Sequence, residues 1–357
     1  MVIYEIFNTN INFFVPNNNL LTFTLLIIAL PLKSNIFKIH IQNEDFMQIK
    51  TKYAVSLILF FAANIFSQNV YEFLRLENSP RTAALAESFV AGNDDPNIIF
   101  YNPAGIALLT ETPVSFSFLK HLLDINSASI SASHEFENIG RFGAAIKFIN
   151  YGSFTERDEF GNENGTFSAN EMALILGYAN LLGENFYYGA NVKFIYSGIA
   201  GYNSTGFAAD LGLHYEIPES NWNFGFVILN AGSQFSSYGD TKENLPVDVR
   251  LGVAKKMAHI PVKLFFSFNR LNDDQDNFFE RFKAFTFGGE ITFSKVLCAR
   301  LGYDNQKRKD YKFGSTAGLA GVSVGLGINV SDYRIDYGLS SYGKVGSLHR
   351  FGVSTSF

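Results

Sequence analysis

Side chains able to do chemistry are present in this chain, but they are scattered. His121, His134, His214, His259 and His349 fall in different segments, and none has metal-ligand spacing. No Gly-x-Ser-x-Gly elbow accompanies them, as a hydrolase nucleophile would need. No Ser-x-x-Lys nucleophile stands with the supporting elements of a penicillin-binding site. The single Cys298 cannot form an intramolecular disulfide. No catalytic set, metal site or cofactor is therefore assigned. A second group of residues is better ordered. Lys147, Lys193, Arg250, Lys263, Arg300 and Arg334 lie on one face of alternating segments, together with Glu171, Asp210, Asp248, Glu290 and Asp336. Enclosed charges pair with one another or meet water. A near-balanced set suggests a cross-linked, filled interior more than a selective pore, with a merely solvated lumen as the plainer alternative.

The elements that would carry these residues are strands. Tyr188, Ala190, Val192, Phe194 and Tyr196 alternate with Gly189, Asn191, Lys193, Ile195 and Ser197. Val322, Val324, Leu326, Ile328 and Val330 alternate with Ser323, Gly325, Gly327, Asn329 and Ser331. A helix cannot use a period of two. Strands are expected near 112–119, 126–137, 140–151, 167–182, 185–198, 204–217 and 221–235. Seven more are expected near 246–257, 260–271, 282–294, 296–305, 316–329, 333–342 and 347–357. Fourteen is an even number, as single-chain outer-membrane barrels require. Short turns such as Ser331-Asp332 alternate with longer connections such as 152–166, 232–244 and 270–281, the pattern of periplasmic turns and surface loops. The last strand places Phe351, Val353 and Phe357 on one apolar face and ends the chain on an aromatic. Both chain ends would then face the periplasm.

Composition agrees with a barrel. Charged residues make up only 17% of the chain, against roughly 25% in soluble domains. There are 38 Phe and 17 Tyr, yet no run after residue 68 is apolar enough for a membrane helix. A net charge of −5 gives no support to nucleic-acid binding.

The N-terminus reads as two segments. Lys50 and Lys52 precede the apolar run 53–66, followed by Ser67 and Gln68, which is the order of a secretory signal peptide. Residues 47–67 are expected to be that signal, with Met47 as the start and 1–46 as an extra segment. The run from Leu20 to Leu32 is too short for a membrane helix, which needs about 20 residues. Residues 68–111 do not alternate. Arg81 to Phe89 reads as a helical turn or two, with Pro80 suited to its first turn, and Asn93-Asp-Asp-Pro96 and Asn102-Pro-Ala-Gly105 are turn chemistry. This segment is expected to plug a barrel formed by 112–357; a small periplasmic extension is the alternative.

The motif Asn102, Pro103, Ala104, Gly105 before the first strand resembles the corresponding element of long-chain fatty-acid transporter (FadL-like) barrels. Ser79-Pro-Arg-Thr-Ala-Ala-Leu85, Asn93-Asp-Asp-Pro-Asn97 and Phe100-Tyr-Asn-Pro-Ala104 resemble the PorV/PorQ branch of that superfamily. Gln68-Asn-Val-Tyr-Glu-Phe-Leu74, the block 149–170 and Leu245-Pro-Val-Asp-Val-Arg-Leu-Gly252 are similar to its PorQ-type members. The resemblance spans Gln68 to Phe357. One departure is Ala86-Glu87, where that family has two glycines. The resemblance implies fourteen strands, a lumenal hatch and a non-enzymatic role in type IX secretion in Bacteroidetes. It implies as partners a PorZ-like surface protein, with PorU and PorV, and outer-membrane lipid or lipopolysaccharide. Phe154, Arg157, Asp158, Phe160, Phe278 and Phe279, on loops mixing charge with aromatics, are the candidate partner contacts. The alternatives for the Phe residues are rim positions in the membrane interface. The other function carried forward is transport of a small hydrophobic molecule, with Ile149, Ile195, Val227 and Phe265 as candidate lining.

Overall fold

In a computed structural model, the described residues are 8–14, 20–26, 69–121, 124–273, 277–312 and 318–357. The expected signal segment, 47–67, lies outside them. Within the first 63 residues, β1 (Asn8–Phe14) and β2 (Leu20–Leu26) form an antiparallel pair. The run beginning at Leu20 is thus a strand for its first seven residues.

The remaining strands close a barrel. They are β3 (Pro113–Lys120), β4 (Asn126–Phe136), β5 (Gly140–Arg157), β6 (Glu163–Gly183), β7 (Phe186–Ile199), β8 (Tyr202–Ile217) and β9 (Trp222–Ser236). They continue as β10 (Asp248–Lys256), β11 (Val262–Phe268), β12 (Phe285–Thr292), β13 (Leu297–Asp304), β14 (Val322–Val330), β15 (Tyr333–Ser341) and β16 (Ser347–Ser356). Each pairs antiparallel with its sequence neighbour, and β16 returns to β3 with Phe351 opposite Phe118. Closure leaves no free sheet edge, which the apolar membrane interior demands. The chain is therefore an outer-membrane β-barrel of fourteen strands, as the alternation implied.

The alternation also sorts the faces. Phe116, Ile130, Leu176, Val192, Leu301, Leu326, Phe351 and Val353 point outward and are exposed to what would be lipid. Lys147, Lys193, Asp210, Asp248, Arg250, Glu290, Arg300 and Asp336 point inward and are buried. Aromatic contacts run in columns over the outer face, as Phe266, Phe268 and Phe285 do. Trp222 at the opposite end carries the Lys255 ammonium over its ring at 4.2 Å. Such belts mark the two membrane interfaces.

The loop expectation needs two corrections. Residues 152–166 are mostly strand: β5 and β6 keep pairing beyond the barrel wall as far as Arg157 opposite Glu163. The outer connections are also not uniformly long, since β7 and β8 are joined by Ala200 and Gly201 alone. Long outer loops are confined to the β9–β10, β11–β12 and β13–β14 connections. The last of these reaches Val322, not 316, before β14 begins.

Residues 69–111 fill the lumen. Helix α1 (Pro80–Ala84) has Pro80 in its first turn, where a missing N–H costs nothing. Two 3-10 turns follow, Pro96–Phe100 and Pro103–Leu108, with the side chains of Asp95 and Asn102 accepting the amides of Asn97 and Ala104. Leu85, Phe89, Ile98, Ile99 and Ile106 are fully buried against wall residues Ile175 and Phe265. The wall admits the plug through glycines. A Cβ on Gly189 would lie 2.5 Å from the Ala104 nitrogen, and one on Gly338 would lie 2.3 Å from the Pro80 carbonyl oxygen. The plug is built into the barrel as a core, with backbone against backbone.

Candidate functional site

The plug is welded to the wall by charge as well as by packing. Arg81 grips Glu290 through Nε at 2.9 Å and Nη2 at 2.8 Å, a bidentate pair. Glu290 also accepts from Arg300 at 2.6 Å, and Arg300 reaches Asp336 at 2.7 Å, which Arg334 meets from the other side at 3.0 Å. Around the lumen, Lys193 pairs with Asp210 at 2.8 Å, and Arg250 with Asp248 at 2.7 Å and with Glu87 of the plug at 3.4 Å. Nine of the eleven inward charges expected from the sequence are thus ion-paired; Lys147 and Glu171 instead bond backbone carbonyls and hydroxyls. Sequence reading missed their plug partners Arg81, Glu87 and Asp94, because nothing in an irregular segment announces which way a side chain will point. The half-exposed Asp94 carboxylate lies beside Arg81 and Lys263, which hold its pKa below the usual carboxylate range.

The motif Asn102, Pro103, Ala104, Gly105 lies at the inner wall of β7 and β8. Asn102 donates to the Val90 carbonyl at 2.9 Å and to the Leu213 carbonyl at 3.1 Å, tying plug to plug and plug to strand. A Cβ on Gly105 would meet Ile98 at 2.4 Å. The motif therefore positions the plug.

Above the plug, on the side of the long loops, a vestibule of about 470 Å³ remains open. Its floor is the 3-10 turn Glu72–Arg75 with Leu76, a strap that begins beside Asn244, where the Val70 amide donates to the Asn244 carbonyl at 2.9 Å. Lys147 holds the strap from below, donating to the carbonyls of Leu76 at 2.7 Å and Leu74 at 3.2 Å, with its ammonium 5.8 Å from the Phe73 ring centre. The walls are apolar and aromatic, with Ile125, Ile149, Tyr151, Tyr342, Val345 and Leu348. Charged groups share the lining: Lys307 meets Glu77 and Glu87, and Glu72, Arg75, Arg270 and Asp310 also border the space. Glu77 is also ion-paired with the fully buried Arg350 at 2.7 Å. At the opposite rim, the Tyr151 hydroxyl donates to Glu171 at 2.5 Å, and Ser197 donates to the second carboxylate oxygen at 2.9 Å. Of the expected lining residues, only Ile149 faces the vestibule; Ile195 and Val227 are fully buried, and Phe265 packs on Phe89 at 5.3 Å.

The other candidate residues separate into two places. Phe154, Arg157, Asp158 and Phe160 lie on the β5–β6 extension, with Phe160 81% exposed. Phe278 and Phe279 do not join them. Phe278 packs edge-on against Phe282 at 5.5 Å, and Phe282 does the same to Phe268 at 5.2 Å. That contact chain continues the outer aromatic column as far as Phe278, with Phe279 against it at 5.8 Å. The histidines remain apart: His134 bonds Thr112, His214 bonds Asn223 and His349 bonds Tyr337. Among the described residues no cluster could hold a metal ion.

No family model matches the chain, and no curated protein matches it. Solved structures do. The toluene transporter TodX of Pseudomonas putida is 14% identical with a TM-score of 0.54, covering 81% of this chain and 99% of its own. A TodX variant described as a monoaromatic hydrocarbon channel gives 14% and 0.55, covering 79% and 100%. A Pseudomonas aeruginosa FadL homologue gives 9% and 0.50, covering 78% and 98%. At these identities the likeness establishes the fold, that of FadL-like outer-membrane barrels.

Proposed function

We propose that this barrel captures a small hydrophobic compound from the cell exterior in the vestibule above its plug. The observation that carries the reading is an outward-opening cavity of about 470 Å³ whose walls include an apolar and aromatic side formed by Phe73, Ile125, Ile149, Tyr342, Val345 and Leu348. That volume is within the range of small-molecule sites. The titles of the neighbours, a toluene transporter and a monoaromatic hydrocarbon channel, support the same class of ligand. Passage beyond the vestibule would require the strap and plug to yield, because the lumen below is filled. The test is uptake of labelled toluene and of a long-chain fatty acid by cells lacking the gene, with the wild-type chain restored. Restored uptake of either supports the reading; unchanged uptake with and without the chain removes it.

A second reading is the one that the PorV/PorQ resemblance implies: a non-enzymatic type IX secretion component that tethers a PorZ-like surface protein, with PorU and PorV, among lipopolysaccharide. The observation favouring it is the β5–β6 extension, which offers Phe154, Arg157, Asp158 and Phe160 well away from the wall. Attachment of type IX cargo to the surface in the deletion strain decides it, since a pure transporter would leave attachment intact.

A further inference from the structure

The outer half of the β5–β6 hairpin is a two-stranded ribbon with no neighbours. The last pair between β4 and β5 is Asn126 with Asn150, and the last between β6 and β7 is Ala169 with Ile199. From Ser153 to Arg157, β5 pairs with β6 alone, and from Glu163 to Phe167, β6 pairs with β5 alone, the Ser168 carbonyl being the last to reach the neighbouring hairpin, where it accepts the Ala200 amide at 3.2 Å. Five residues of strand rise about 17 Å. Nothing lies within 4 Å of where a Cβ on Gly161 would stand. An isolated ribbon is marginal in water, and each open edge offers unpaired backbone N–H and C=O groups.

This ribbon is nevertheless held in shape. The Asp158 carboxylate accepts the amides of Phe160 at 2.9 Å and Asn162 at 2.8 Å, and the Asn162 side chain at 2.9 Å. Those bonds, the Asn162 side chain foremost, keep its pKa below the usual carboxylate value. Phe154 and Phe167 stack across the strands with ring centres 5.3 Å apart. Period two puts Glu156 on the same face as Phe154. Within 151–168 there are four acids, Glu156, Asp158, Glu159 and Glu163, and one base, Arg157. Arg157 is already paired to Glu163 at 2.5 Å.

We infer that the ribbon is a docking edge that receives an extended, basic segment of a partner protein as an added strand. Backbone hydrogen bonds to an open edge would supply affinity, and the Phe154–Phe167 face followed by Glu156 would select an apolar residue and then, two positions along, a basic one. A second copy of this chain fits poorly, because pairing two ribbons would bring like-charged acids together. The inference does not depend on the vestibule, and the two can fail separately.

The test uses the full chain in detergent and a labelled, end-blocked peptide of sequence Thr-Val-Thr-Lys-Thr-Lys, followed by fluorescence anisotropy. Saturable binding is expected. It should weaken about tenfold, roughly 1.4 kcal/mol, when one or other alternate set of peptide amides is N-methylated. It should weaken similarly in Glu156→Lys with Glu159→Lys, and vanish when 154–167 is replaced by Asn-Gly. Absence of saturable binding to the wild type, equal binding to the shortened hairpin, or equal binding by both methylated peptides would each overturn the inference.

Discussion

At the scale of single residues, plug and wall are joined by a few charges that share partners. Arg81 is buried and satisfies Glu290 and Asp94 together. Arg81→Met should destabilise the barrel by about 1–3 kcal/mol, because the buried Glu290 loses its bidentate partner but keeps Arg300 and Arg334; urea titration of the detergent-solubilised protein measures it, and a loss under about 0.5 kcal/mol would contradict the network. Ala86 and Glu87 both hold left-handed backbone, with φ of 51° and 62°. These are the two positions where the PorV/PorQ family has glycine, and here the geometry shows why glycine suits them. Ala86→Gly is expected to stabilise by up to about 1 kcal/mol by removing the Cβ strain. Glu87→Gly should not, since Glu87 pairs with Arg250 and Lys307. The inward charges on strands were legible because alternation assigns a face. The left-handed turn and the role of Arg81 were not, because neither burial nor dihedral angle can be read from an aperiodic segment.

At the scale of elements, the plug and the ribbon make opposite predictions. The plug lies on wall glycines, so Gly189→Leu should push Pro103 and Ala104 off the wall at an overpacking cost of about 1–3 kcal/mol. The ribbon lies beyond the wall, so replacing 154–167 by Asn-Gly should leave barrel stability within about 0.5 kcal/mol of wild type. Plug docking also has a pH sense. Asp94 has a depressed pKa in the folded state, so its contribution is present above its unfolded value of about 4 and fades as pH falls below that. Limited proteolysis of the plug should therefore be flat from pH 8 to 5 and rise only under stronger acid. Increased cleavage already at pH 6 would point to another group. Strand positions were readable to within a few residues from period two. The extension of β5 and β6 was not, because Gly, Asn and charged residues in 152–166 carry the composition of a loop, and only cross-strand pairing such as Phe154 on Phe167 makes them a ribbon.

At the scale of the whole molecule, the closed wall, the plugged lumen and the outward vestibule set the proposed function. The barrel is sealed by a core of its own plug, and planar-bilayer recordings should show no steady ion conductance for the wild-type chain; a constant open current would mean that the lumen is not filled. Function is left to the outer surface and to the vestibule between strap and loops. The vestibule itself was invisible in the sequence, since Ile125, Tyr342 and Val345 lie in short connections and only closure of the barrel brings them over Phe73. The most direct measurement of the central claim is calorimetric titration of the purified barrel with toluene. A second titration would use a variant carrying Ile125→Trp and Val345→Trp, two positions outside the strands that would fill the cavity. The account predicts saturable binding of one molecule per barrel, weakened about tenfold or more in the filled variant. No binding, or binding that the two tryptophans leave unchanged, would contradict it.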